Sequence, residues 1–220
     1  MPVEKTIKLY EFKELTEEVQ DGIISNYLQD LPGWWSDDVE ERIRNEAISI
    51  GIQDFDFSWS GFWSQGDGLS FTGRLEFKNW FYILTERLTP EEFVNLCGKL
   101  PHELVQRQEQ NRILWGDCHI ARDSHTYCHE NTVSVSKPSS ELGWNERRGY
   151  PSDNEIMIKF GEKAQKCLNE WKNEVCNKWY SDLQEAYEAH VERDNIIENI
   201  KGHELLFTSS GTIVDNGELV

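Results

Sequence analysis

Apolar and polar residues alternate most regularly on either side of one short stretch. Phe55, Phe57 and Trp59 precede it, and Leu69, Phe71, Leu75 and Phe77 follow it. A period of two places these side chains on one face of two strands, over about residues 52–60 and 69–78. The opposite face is polar, with Asp54, Asp56, Ser58 and Ser60 on the first strand and Ser70, Thr72, Arg74 and Glu76 on the second. A hairpin with one apolar face belongs to an antiparallel sheet that helices cover on that side.

Other patterns supply the coverings. Thr6 to Phe12 alternates and predicts an opening strand. Thr16 followed by Glu17 and Glu18 predicts a helix start, and Leu15, Val19, Ile23, Tyr27 and Leu28 recur at helical spacing until Pro32-Gly33. Ser36 or Asp37 caps a second helix with the stripe Val39, Ile43, Ala47 and Ile50, closed by Gly51. Thr89-Pro90-Glu91-Glu92 opens a third, burying Phe93, Leu96 and Cys97. Leu100-Pro101 interrupts it, and a short polar segment follows. Residues 112–121 and 126–136 predict a second hairpin with its turn at Arg122 to His125. The longest pattern, from Ile156 through Phe160, Ala164, Leu168, Trp171, Val175, Trp179, Leu183 and Ala186 to His190, predicts one long helix or two with a kink. Glu204–Phe207 and Thr212–Val214 predict short strands around a turn at Thr208–Gly211. The expectation is a single α+β domain over 1–220, with residues 137–153 an exposed loop carrying Trp144 and 215–220 a frayed tail.

Composition changes the picture in one respect. The formal net charge is −18, and it is uneven: −9 over residues 1–60, −2 over 61–110, zero over 111–150 and −7 over 151–220. Such a field repels a polyanion, so direct nucleic-acid binding is not expected, and a partner with a basic surface is. The competing reading of the acid is solubility alone. No apolar run is long enough for a membrane helix, and Met1 to Lys5 shows no apolar signal core. Five cysteines without framework spacing fit free thiols in a reducing cytoplasm.

Two clusters offer candidate chemistry. Cys118, His119, His125, Cys128 and His129 are possible zinc ligands, but a turn at Asp123-Ser124 sets Cys118 opposite His129 and His119 opposite Cys128, on opposite faces. Four converging ligands are then not available, and no metal is expected. The loop Trp63, Ser64, Gln65, Gly66, Asp67 and Gly68 is the candidate ligand loop. Its glycines allow backbone N–H groups to form an anion cradle, and Trp63 offers a stacking face. The alternative is a loop shaped by glycines and pinned by Phe62 and Trp63. No Gly-x-Ser-x-Gly element or other nucleophile context is present, so no catalytic residue and no cofactor is assigned. His190 lies on an apolar stripe and reads as a core histidine.

The stretch Ser60-Gly61-Phe62-Trp63-Ser64-Gln65-Gly66-Asp67-Gly68 resembles a motif in a loose family of small phage and prophage proteins. The likeness extends to Tyr10-Glu11-Phe12, Leu15-Thr16-Glu17-Glu18, Tyr127-Cys128-His129-Glu130 and Phe207-Thr208-Ser209-Ser210-Gly211. It implies a phage-derived accessory protein of the host cytoplasm, sometimes labelled an antitoxin, and it transfers no catalytic residues. The resulting expectation is a non-enzymatic protein that covers a basic surface of a host protein. Its sharpest form is an inhibitor of a nucleic-acid-dependent defence system, akin to anti-CRISPR or anti-restriction proteins. Asp37, Asp38, Glu40, Glu41 and Glu46 are the partner-binding candidates. A small-ligand or nucleotide binder or hydrolase using loop 60–70 is the alternative.

Overall fold

The computed structural model describes residues 7–29, 33–97, 101–109, 113–123, 127–138, 140–142, 151–215 and 218–219. In chain order the elements are β1 (Tyr10–Glu11), α1 (Glu17–Gln29), α2 (Asp37–Ile50), β2 (Ile52–Ser60), β3 (Gly68–Leu75), α3 (Phe77–Arg87), α4 (Pro90–Cys97) and α5 (Pro101–Glu109). There follow β4 (Ile113–Trp115), β5 (Cys118–Arg122), β6 (Val133–Val135), β7 (Ser140–Leu142), α6 (Pro151–Val191), α7 (Arg193–Gly202), β8 (Leu206–Phe207), β9 (Ile213–Asp215) and β10 (Glu218–Leu219). The class is α+β, as the patterning predicts. Length predicts one domain, whereas the described residues group into two compact units. One comprises the segments up to Val39 and from Leu183 onward, the other Glu40–Asp182.

The larger unit is built on an antiparallel sheet in the order β2-β3-β5-β6. Phe57 pairs with Phe71 and Trp59 with Leu69, the register that the alternation demands. A bulge between Gln53 and Asp56 shifts that register, with Asp54 in the left-handed region at φ 52°. The extra residue lets Ile52 share the buried face with Phe57, although their numbers differ by an odd count. A Cβ on Gly73 would collide with the Ile52 side chain, so the bulge needs glycine opposite it.

The long helix covers the apolar face. Trp179 meets Phe55 and Phe71 edge-on, with ring centroids 5.5 and 5.3 Å apart, and Trp171 meets Phe71 at 6.3 Å. Phe160, Ala164, Leu168, Trp179 and Leu183 of the predicted stripe are fully buried. The helix is unbroken from Pro151 to Val191, and Glu192 separates it from α7.

Several expectations need correction. Phe77 is not the end of a strand but the first residue of α3, whose Phe77, Trp80, Phe81 and Leu84 recur at helical spacing. The polar segment after Pro101 is helical as α5. The second hairpin pairs Ile120 with Val135 and Arg122 with Val133, so its connection is far longer than a turn at 122–125. Strand β4 leaves it altogether and pairs with β7, inside the stretch predicted as an exposed loop. Trp144 lies outside the described residues. The polar face of the first hairpin is also only partly polar in setting: Ser70 is fully buried, and Cys128 and His129 lie against Gly68 two residues before it.

The smaller unit has a sheet in the order β1-β8-β9-β10 and a core of Phe12, Leu15, Ile23, Ile24, Ile196, Ile200 and Phe207. The opening strand is shorter than predicted, because Phe12 starts a 3-10 turn that carries its ring inward. Asp215 pairs with Glu218 and Val214 with Leu219, a hairpin where a frayed tail was expected.

Candidate functional site

The loop between β2 and β3 is held by its own acid. The Asp67 carboxylate accepts the backbone N–H groups of Trp63 at 2.9 Å and Ser64 at 2.6 Å, and Asp67 N–H returns a bond to the Ser64 carbonyl at 3.1 Å. A Cβ on Gly61 would stand 2.8 Å from that carboxylate. The anion cradle that the glycines were expected to offer is therefore filled by Asp67 itself. Phe62 stacks on Trp59 at 5.7 Å and packs on Tyr180 at 5.4 Å, while the Tyr180 hydroxyl donates to the Gly61 carbonyl at 2.6 Å. Burial, and then the Asp67 charge, push the Tyr180 phenol up, which keeps it a donor. Trp63 is 74% exposed.

A second segment lies on this loop. His129 begins a 3-10 turn at Glu130–Thr132, its Nδ1 accepting the Asn131 N–H at 3.2 Å. Gly68 permits close approach here, since a Cβ would lie 2.6 Å from the Cys128 carbonyl oxygen. Gly66, at φ 104°, both turns the chain and leaves room for the Tyr127 ring, which a Cβ would approach to 2.5 Å. Between the two segments is a shallow depression of about 340 Å³ lined by Gln65, Gly66, Tyr127 and His129. Of the six candidate loop residues, Gln65 and Gly66 face it. Ser64 and Asp67 serve the loop's own bonds, Gly68 is a spacer, and Trp63 is not part of the lining. Tyr127 is absent from the sequence-based ligand candidates and His129 figures there only as a possible zinc ligand, although the phage-like resemblance covers both their segment and the loop.

The acidic candidates divide as well. Asp37, Asp38 and Glu41 are exposed on α2. Glu40 instead accepts the Trp59 indole N–H at 3.1 Å, and Glu46 pairs with Lys178. Both are half-buried and bonded within the larger unit. More acid lies in the smaller unit: the segments 1–39 and 183–220 hold 17 acidic and five basic side chains, a formal net charge of −12.

The observed register also rearranges the Cys/His cluster. Cys118 pairs with Leu75 at the centre of the sheet, while Cys128 and His129 sit beyond β5 against Gly68. The expected pairing of Cys118 with His129 does not form, and His125 lies outside the described residues. Burial, with a smaller contribution from Asp117, pushes the Cys118 thiol up to about 12, so it stays a neutral thiol. Among the described residues no group of three or more His, Cys, Asp or Glu is placed to hold a metal ion. None of the described helices is long and apolar enough to cross a membrane.

A family model matches residues 34–193, most of the chain. The chain belongs to DUF8835, a domain family of unknown function. No curated protein and no solved structure matches it. The DUF8835 span contains the whole of the larger unit, including both walls of the depression, and leaves out most of the acidic terminal segments.

Proposed function

We propose that this DUF8835 protein is a non-catalytic binding protein whose acidic terminal segments dock on a basic surface of a partner protein. The observation that carries the reading is the net charge of −12 on the smaller unit, against −6 on the larger unit, which has nearly twice as many residues. Glu188, Asp194 and Glu198 are exposed on its helices, and Glu192 is exposed between them. Concentrated carboxylates steer a basic partner into encounter and imitate a phosphate array. In the sharpest form of the proposal the partner is a host protein of a nucleic-acid-dependent defence system, which normally holds nucleic acid on that surface.

Affinity purification from host cells, with mass spectrometry of what is retained, identifies the partner. The triple variant Glu188→Lys, Glu192→Lys and Glu198→Lys should then bind more weakly, mainly through a slower on-rate, with a flatter salt dependence. Unchanged association by a variant that melts like the parent would reject the proposal.

A further inference from the structure

The depression beside the β2–β3 loop has a chemistry independent of the acidic surface. Tyr127 is 52% exposed, so much of its ring is open to a ligand, while its Cδ1 edge lies against Gly66. The His129 ring stands beside it, with centroids 6.3 Å apart and planes 34° from parallel. Because Nδ1 of His129 accepts the Asn131 N–H, the proton of the neutral imidazole is on Nε2, which is a donor. Gln65 is exposed and contributes an amide that both donates and accepts. One aromatic surface, one ring N–H and one amide together complement a flat heterocycle that has acceptor and donor atoms on one edge.

Charge narrows the class. Among the described residues no Lys or Arg lines the depression, and the nearby N–H groups of Trp63 and Ser64 are occupied by Asp67. A phosphate would find no lysine or arginine among them. The volume of about 340 Å³ is at the small end of ligand sites and suits a single nucleoside. We propose that Gln65, Tyr127 and His129 form a binding site for an uncharged nucleobase or nucleoside, stacked on Tyr127 and read on its edge by the other two.

The test is an NMR titration of the full chain, 15N-labelled, with adenosine, guanosine, cytidine and uridine in turn, and with AMP and a methyl glucoside as contrasts. At least one nucleoside should shift the Gly66 amide and the Gln65 side-chain signals, and AMP should bind no tighter than adenosine. Tyr127→Ala should weaken binding by about tenfold while Tyr127→Phe retains it. Gln65→Ala, on an exposed side chain, should weaken binding too and serves if Tyr127→Ala does not fold. The proposal is overturned if no nucleoside shifts these signals at millimolar concentration, or if the glucoside shifts them instead. Markedly tighter AMP binding, or full affinity in both alanine variants, would overturn it equally.

Discussion

The Lys172 ammonium donates to the Val133 carbonyl at 2.8 Å, reaching the outer edge of β6 from the middle of α6. It also donates to the Glu130 carbonyl. Asn169 accepts the Val135 N–H at 3.2 Å, and Gln165 donates to the Val135 carbonyl at 3.0 Å. Three polar side chains of one helix thus satisfy the backbone of an edge strand that would otherwise be open to another chain. Burial lowers the lysine from its ordinary value, a consequence of placing an ammonium beneath the helix.

Removing that ammonium leaves the Val133 carbonyl without its donor, while the Glu130 carbonyl keeps the Val133 N–H. Lys172→Met should lower stability by about 1–3 kcal/mol, measured by urea unfolding. Lys166→Met, on an exposed residue of the same helix, is the control and should change little. Equal midpoints for the two variants would show that the edge needs no such capping.

The bulge at Asp54 should depend on the residue facing it. Gly73→Ala places a methyl group against Ile52 and should destabilise by about 1–3 kcal/mol. Asp54→Gly relieves a left-handed backbone at φ 52° but loses the ion pair with Arg74 at 3.6 Å. Since that aspartate is largely exposed, the pair contributes little, and the variant should melt at or slightly above the parent temperature. A marked loss in Asp54→Gly would mean that the side chain, not the conformation, holds the bulge.

The two tryptophans facing Phe71 should differ in degree. Trp179→Ala removes a side chain with no exposure that touches both Phe55 and Phe71, and should cost about 3–5 kcal/mol. Trp171, 9% exposed and packed less closely on Phe71, should cost less. Calorimetric melting of both variants ranks them, and the reverse order would contradict the packing.

Alkaline pH should weaken the fold through buried thiols. Cys118 and Cys176 are pushed up to about 12 by burial from an ordinary 9.0. Above pH 9 the unfolded chain sheds protons that the folded chain retains, so stability present below that value is lost as pH rises. The loss is about 1.4 kcal/mol per pH unit for each thiol. The double variant Cys118→Ala and Cys176→Ala should show a shallower decline in urea-unfolding free energy between about pH 9 and pH 11. An identical slope would assign the decline to other groups.

Periodicity alone determined the central hairpin, the capped helix α2 with Gly51 behind it, and the stripe from Phe160 to Leu183. In each, one buried face repeats along a continuous segment, so local sequence carries the whole signal. Net charge likewise marked both termini as acidic, because charge is a count. Only the tertiary structure decided what depends on residues distant in sequence. Whether Glu40 and Glu46 are free acid or partners of Trp59 and Lys178 is set by neighbours 19 and 132 positions away. The β5–β6 register follows from a connection too long for any turn rule, and with it went the expected apposition of Cys118 and His129. The depression has the same origin. Gly66 reads as a loop glycine in sequence, and its lack of a side chain has meaning only because the Tyr127 ring occupies the space that a Cβ would fill.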